Sequence, residues 1–163
     1  MFQALQMPSK EMRTVGETEL DMMVQELRDK WGEKLTISAD RFFTFLQVAP
    51  EELTALAGTL RNEYGFNHLA NLASVDYMDS FEIVYHLYSI PDNRKIVVKV
   101  RVPREKPEVD SVFSIWPAAD WQEREIYDLM GITFKGHPNL VRILMPDDYT
   151  EHPLRKDFKL EGR

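Results

Sequence analysis

The last third of the chain constrains it most. Residues 111–158 read SVFSIWPAADWQEREIYDLMGITFKGHPNLVRILMPDDYTEHPLRKDF, a charged helix followed by a Pro-punctuated stretch with no period of its own. Pro138, Pro146 and Pro153 each forbid continued helix. Tyr149, Leu154 and Phe158 stand in that stretch as isolated apolar residues. A segment of this kind is either disordered or an extended arm ordered by another surface. The spaced anchors favour the arm, and divide the chain into an irregular segment 1–16, a domain 17–131 and an arm 132–163.

Upstream, the periods are regular. Thr18 and Asp21 resemble a capping box with the shorter acid, and Leu20, Met23, Val24, Leu27 and Trp31 recur at helical spacing before a stop at Gly32. Residues 34–38 and 41–48 fit two short strands. Pro50 opens a second amphipathic helix, with Glu51 and Glu52 at its positive end, burying Leu53, Leu56, Ala57, Leu60 and Tyr64 and stopping at Gly65. Three strands follow: 68–77, weakly patterned; 81–90, with Phe81, Ile83, Tyr85 and Leu87 on one face; and a third after the turn Pro91-Asp92-Asn93-Arg94. In the third, Ile96, Val98, Val100 and Val102 alternate with Lys95, Val97, Lys99 and Arg101. Pro103 and the polar run to Asp110 end it. The order helix, two strands, helix, three strands, helix, arm predicts an α+β two-layer domain with helices on one face of a mainly antiparallel sheet.

Composition excludes several function classes. The 163 residues contain no cysteine, which removes disulfides, thiol catalysis, all-Cys zinc and the usual iron–sulfur ligation. A net charge of -7 argues against nucleic-acid binding by phosphate neutralisation and against docking on anionic lipid by a basic patch. No apolar run approaches the roughly 20 residues of a membrane span, and the first residues lack the pattern of a signal peptide.

The third helix opens near Pro117 and closes at Gly131. Ala119, Ile126 and Met130 share one face, flanked by Glu123 and Tyr127, while Asp120, Arg124 and Asp128 lie four apart on another, where Arg124 can pair in both directions. Trp121 projects on the charged side, so either that side is covered by the arm or a partner, or the charges form a solvated face with Trp121 under a loop. Glu123 and Glu125 point about 200° apart on the helix, so they cannot share a substrate, and ion pairing is the expected role. His137, His152, Asp147 and Asp148 do not have the spacing a metal requires; turn and capping roles suit them better. No phosphate loop, dinucleotide-binding Gly pattern or nucleophile elbow occurs. The residues themselves present no catalyst.

Glu123-Arg124-Glu125-Ile126-Tyr127-Asp128-Leu129-Met130-Gly131-Ile132, then His137-Pro138-Asn139-Leu140, Arg142-Ile143-Leu144-Met145-Pro146 and His152-Pro153-Leu154-Arg155-Lys156-Asp157-Phe158, strongly resembles the hydrophilic 30-kDa subunit of respiratory complex I. That complex is NADH:quinone oxidoreductase, and the family has chloroplast and cyanobacterial relatives. One position departs: Val141 stands where the family usually has a basic residue or proline, and Arg142 follows it. The resemblance implies a cofactor-free peripheral-arm subunit of a translocating oxidoreductase, packed against iron–sulfur and quinone-cavity subunits. FMN and the clusters would sit on those partners, at the cytoplasmic face of a bacterial membrane or the equivalent organelle face. It also implies a partner interface made of the signature residues, including Trp121, Gly131 and Arg142, with Leu154 and Phe158 as apolar anchors and Arg155 and Lys156 in interfacial salt bridges. Two rivals remain: the equivalent subunit of a membrane-bound [NiFe]-hydrogenase, formate hydrogenlyase or ferredoxin-dependent relative, and a free-standing enzyme using the acids Glu123 and Asp128.

Overall fold

The computed structural model describes residues 15–90 and 92–159. Helix α1 spans Val15–Trp31. It takes in the last two residues of the segment expected to be irregular, and the rest of that segment lies outside the described residues. Thr18 therefore falls within the first turn of α1. Met23 and Leu27 are buried, with Leu20, Val24 and Trp31 packed beside them, as the helical spacing requires.

Strands β1 (Leu35–Ala39) and β2 (Thr44–Val48) form a hairpin. Asp40 turns it, its carboxylate accepting the N–H groups of Phe42 and Phe43 at 2.7 Å. A short 3-10 turn over Pro50–Glu52 leads into α2 (Leu53–Asn62), which buries Leu53, Leu56, Ala57 and Leu60. Tyr64 lies beyond the helix, half-buried, its hydroxyl donating to Glu26.

Strands β3 (His68–Asp76), β4 (Ser80–Ser89) and β5 (Arg94–Pro103) then run as an antiparallel meander. A register shift between Leu69 and Asn71 breaks the alternation of β3, the physical reason its sequence is weakly patterned. Strand β5 lies parallel to β2, giving the sheet order β1-β2-β5-β4-β3. The alternating residues Phe81, Ile83, Tyr85, Leu87, Ile96, Val98, Val100 and Val102 are all buried. Together with the helix residues they make one core, each large side chain contributing roughly 1.5–3 kcal/mol.

The run before Asp110, expected to be loop, contains β6 (Glu108–Asp110), which pairs parallel with β7 (Thr133–Lys135). Between them α3 (Ala119–Met130) packs over β3, the edge strand, and ends at Gly131 in the left-handed region at φ +69°. Beyond β7 the tail is turns and irregular backbone. Among the described residues no helix is long and apolar enough to cross a membrane.

Candidate functional site

The tail winds along α3 and closes over its C-terminal end. Its first attachment is Asp128, whose side chain is fully buried. One oxygen, Oδ2, accepts the N–H groups of Ile143 at 3.0 Å, Leu144 at 2.7 Å and Met145 at 2.9 Å, and Oδ1 accepts from Arg142 at 2.6 Å. Burial alone would raise this carboxyl. The donors of Met145, Leu144, Arg142 and Ile143 outweigh it and hold the pKa at about 2. Three successive N–H groups on one oxygen form a nest for an anion, here supplied from within the chain. Arg142 also donates to the main-chain carbonyls of Asp128 and Glu151 and lies over the Tyr149 ring.

The second attachment caps α3. The last carbonyls of a helix have no partner within it. The Nδ1 atom of His152 lies 3.0 Å from the Asp128 carbonyl oxygen, the Leu154 N–H donates to Leu129 at 3.1 Å, and Arg155 donates to Met130 at 2.7 Å and Gly131 at 3.4 Å. A guanidinium at this negative end of the helix dipole is favourable. Gly131 is required twice over: its φ is left-handed, and a Cβ there would come within 2.5 Å of both Arg155 Nη2 and His152 Nε2.

The third attachment reaches the sheet. Asp76, buried at the end of β3, accepts the Lys156 N–H at 2.9 Å, and Arg104 bridges Asp76 at 2.7 Å and Asp157 at 2.5 Å. Burial would raise Asp76, but the bonds from Arg104, Lys156 and Met78 hold its pKa at about 2.

Beneath the tail, Glu123 is fully buried against the β6–α3 connection. It accepts the Val112 N–H at 2.8 Å and lies 2.5 Å from the Ser111 hydroxyl. Burial pushes this carboxyl up to about 7, against the pull of Ser111 and Val112, and Asp120 adds to the rise. The buried ring of His137 accepts the Asn139 N–H on Nδ1, and its Nε2 lies 3.2 Å from an Asp120 carboxylate oxygen and 3.9 Å from Glu123. The nearby Tyr85 hydroxyl is buried with no hydrogen-bond partner among the described residues, and burial and Glu123 both raise its pKa.

Several expectations change. The ladder from Asp120 through Arg124 to Asp128 does not form, because the tail supplies better donors: Asp128 pairs with Arg142 and Asp120 faces His137. Arg124 lies over Trp121 and donates to the carbonyls of Val141 and Arg142. Glu123 makes no tight ion pair; its close partners are a hydroxyl and an amide. Glu123 and Asp128 are buried with separate partners and do not face one cleft. His137 and His152 touch the carbonyls of Asp120 and Asp128, about 12 Å apart along the helix. Among the described residues no group of three or more His, Asp or Glu is placed to hold a metal. The Arg155 guanidinium, expected in a salt bridge to a partner, is engaged by carbonyls of α3.

Other signature residues remain at the surface. Trp121 is 65% exposed and Leu154 60%, joined by Leu144 and Val141. The tail does not cover Trp121. Glu125 is exposed and, with Leu154 and Lys156, lines a groove of about 510 Å3 between α3 and the edge of β3. Tyr127 and Phe158 are half-buried, Pro153 sits in a half-buried turn, and Pro138 is exposed. Val141 contributes its carbonyl to Arg124 and leaves its side chain outside, so the departure from the family pattern disturbs no internal contact. Asp76, Arg104 and Ser111 escape a reading of the sequence; each lies outside the signature and reads locally as a strand-end or loop residue.

The sequence model of the family described as "Respiratory-chain NADH dehydrogenase, 30 Kd subunit" matches residues 46–163, which contain every attachment just described. The chain belongs to this family. It is 46% identical over 144 residues to the NADH-quinone oxidoreductase subunit designated C from Moorella thermoacetica, covering 87% of this chain and 97% of that protein. To the protein of the same name from Geobacter metallireducens it is 39% identical over 149 residues, covering 88% and 92%. Among solved structures it resembles the trypsin-resistant fragment (1-134) of Nqo5, with a TM-score of 0.67, 31% identity and coverage of 74% and 98%. It shares its fold with a chain of an archaeal membrane-bound sulfane sulfur reductase, at a TM-score of 0.76, 24% identity and coverage of 88% and 87%. Within this 30 Kd subunit the charged signature residues Asp128, Arg142 and Arg155 act inside the chain, whereas Trp121 and Leu154 face out.

Proposed function

We propose that this chain is the 30-kDa-type subunit of the peripheral arm of a proton-translocating NADH:quinone oxidoreductase. In that complex electrons pass from NADH through FMN and iron–sulfur clusters to quinone. This chain holds neither flavin nor cluster; its part is to present a fixed surface to the iron–sulfur and quinone-cavity subunits, on the cytoplasmic face of the membrane. Residues 17–131 act as the domain and residues 132–163 as the docking arm. The observation that carries the reading is the tail itself. Buried Asp128 and Asp76 and the end of α3 hold its backbone in place, while Trp121 on α3 and Leu144 and Leu154 on the tail remain at least 60% exposed. Large apolar groups on a backbone already ordered lose little conformational freedom on docking, which favours tight assembly.

The Moorella and Geobacter relatives are named as subunits of NADH-quinone oxidoreductase, and no observation favours the hydrogenase-type reading over it. The test is to tag this chain in its native host, extract membranes with mild detergent and identify what migrates with it. Flavin, iron–sulfur and membrane subunits with NADH–quinone activity in one band are expected. Co-migration with a nickel hydrogenase would move the chain to the rival complex, and migration alone would overturn the assembly role.

A further inference from the structure

The helices of the domain cover one face of the five-stranded sheet; the other face has a chemistry of its own. Alternation along β5 places Lys95, Val97, Lys99 and Arg101 there, opposite to the buried Ile96, Val98 and Val100. The register brings Phe45 beside Val97 from β2, and His86 beside it from β4. Each of the three cations β5 places on this face lies against an aromatic ring. Lys95 Nζ is 4.6 Å from the centroid of Phe43, Lys99 Nζ is 4.6 Å from that of Phe45, and the Arg101 guanidinium is 4.8 Å from that of Tyr77. Phe43 in turn meets His86 edge-on at 5.6 Å. Val97 is fully buried among them, though it points away from the helices.

The charge here is opposite in sign to that of the chain. Of the acids near it, Glu82 is buried and lies 3.5 Å from Lys99 and 3.4 Å from Arg101, and Asp40 has its carboxylate on the N–H groups of Phe42 and Phe43. Lys95, Lys99 and Arg101, with Arg41 in the adjoining turn, therefore give a net positive patch on a protein of net charge -7. Among the described residues Lys95 has no carboxylate within ion-pair distance, and Lys99 and Arg101 share the single carboxylate of Glu82.

From this we infer that this sheet face, which no described helix covers, docks an acidic segment of a neighbouring subunit, with its carboxylates on Lys95 and Lys99. This rests on the assembly reading above. In an extended strand Lys95 and Lys99 are about 13 Å apart, so the segment presents acids at that separation rather than one cluster. Complementary charge sets register and encounter rate at such surfaces. A protein segment fits better than a single-stranded nucleic acid. Bases need open ring faces on which to stack, and here lysines lie over Phe43 and Phe45.

The test uses the wild-type chain, free and in the purified complex. Lysines are acetylated in both, and the complex is separately treated with a carbodiimide, which joins amines directly to carboxylates. Acetylation of Lys95 and Lys99 several-fold slower in the complex is expected, with a link from one of them to an Asp or Glu of another subunit. Equal reactivity in the two states, links only to Asp40 or Glu82 of the same chain, or protection that nuclease treatment abolishes would each overturn the inference. A chain that purifies alone overturns the assembly reading with it; a chain that purifies with its partners but keeps both lysines fully reactive overturns this inference alone.

Discussion

The sheet domain and the tail lie against each other and are held by different physics. In β4 and β5 the ladder and the alternating apolar residues spread stability over many similar contacts, so no single residue carries the fold. The tail has one short strand, β7, buries Ile132 and Phe134 at its start, and farther on is held mainly by polar groups with several partners each. Asp128 takes four of the bonds that order residues 142–145, with Arg124 holding the carbonyls of Val141 and Arg142, and Asp76 with Arg104 fixes residues 156 and 157. A segment too poor in apolar residues to bury itself can still be ordered if buried anions are placed to receive its N–H groups. The cost is concentration: one lost carboxylate releases a whole stretch.

The sharpest way to break that comparison is Asp128→Ala. It leaves the Ile143, Leu144 and Met145 N–H groups and the Arg142 guanidinium without their acceptor, and removing one partner of a buried ion pair costs on the order of 3–5 kcal/mol. Hydrogen exchange should show the amides of residues 143–145 losing protection while those of β4 and β5 keep theirs. Loss of protection in both regions together would mean that tail and sheet are one cooperative unit, held by the same contacts.

A second carboxylate on the same helix behaves oppositely. Asp128 is surrounded by donors and held at about 2, whereas Glu123, five positions earlier, has two donors in a dry setting and is pushed up to about 7. An acid whose pKa is higher folded than unfolded stabilises least when ionised. The native state therefore loses stability as pH rises from the unfolded value near 4.5 through about 7. At 1.36 kcal/mol per pKa unit the full loss is on the order of 3 kcal/mol, complete by about pH 8. His152, lowered by its own burial, works in the other direction near the same range. The Glu123→Gln variant retains His152, so subtracting its pH–melting profile from the wild-type profile isolates Glu123. The wild type should fall relative to Glu123→Gln between about pH 5 and pH 8; parallel profiles would show that Glu123 ionises normally.

The same contrast explains what was legible in the sequence. Period and punctuation placed α2, β4 and β5, because burial there follows alternation or helical spacing and each residue's place depends on its neighbours in the chain. The stop at Gly131 was legible for the same local reason. The parallel pairing of β2 with β5, and of β6 with β7, depends on distant segments and has no period to reveal it. In the tail the signature residues were visible but their use was not. Asp128 reads as part of a charged ladder with Arg124 until Arg142, fourteen residues on, displaces that partner. The bonds from Arg155 to the end of α3 join segments twenty-five residues apart, and Asp76 is eighty residues from the Lys156 amide it accepts. What pins the tail is nonlocal charge; Trp121 and Leu154 were conspicuous as apolar residues in a charged setting, but that the tail leaves Trp121 exposed was not.

The smallest effect on the isolated chain, and the one that sharpens the division of labour within the tail, is expected from the double change Trp121→Ala with Leu154→Ala. Both side chains are at least 60% exposed. Trp121 has Arg124 beside its ring, and Leu154 holds its place through its main-chain N–H, which alanine keeps. Each substitution should shift stability by no more than about 0.5 kcal/mol, the usual range for surface positions without special contacts. Thermal unfolding of the purified chain should therefore be nearly unchanged, and residues 143–145 should stay protected. Incorporation into the membrane complex, read as the fraction of tagged chain that migrates with other subunits, should nevertheless fall, because large apolar side chains on an ordered surface contribute most when a partner desolvates them. Unchanged incorporation would remove these two residues from the interface. A lowered melting point would place them in the internal clamp with Asp128, and the distinction between charged residues that hold the tail and apolar residues that use it would no longer stand.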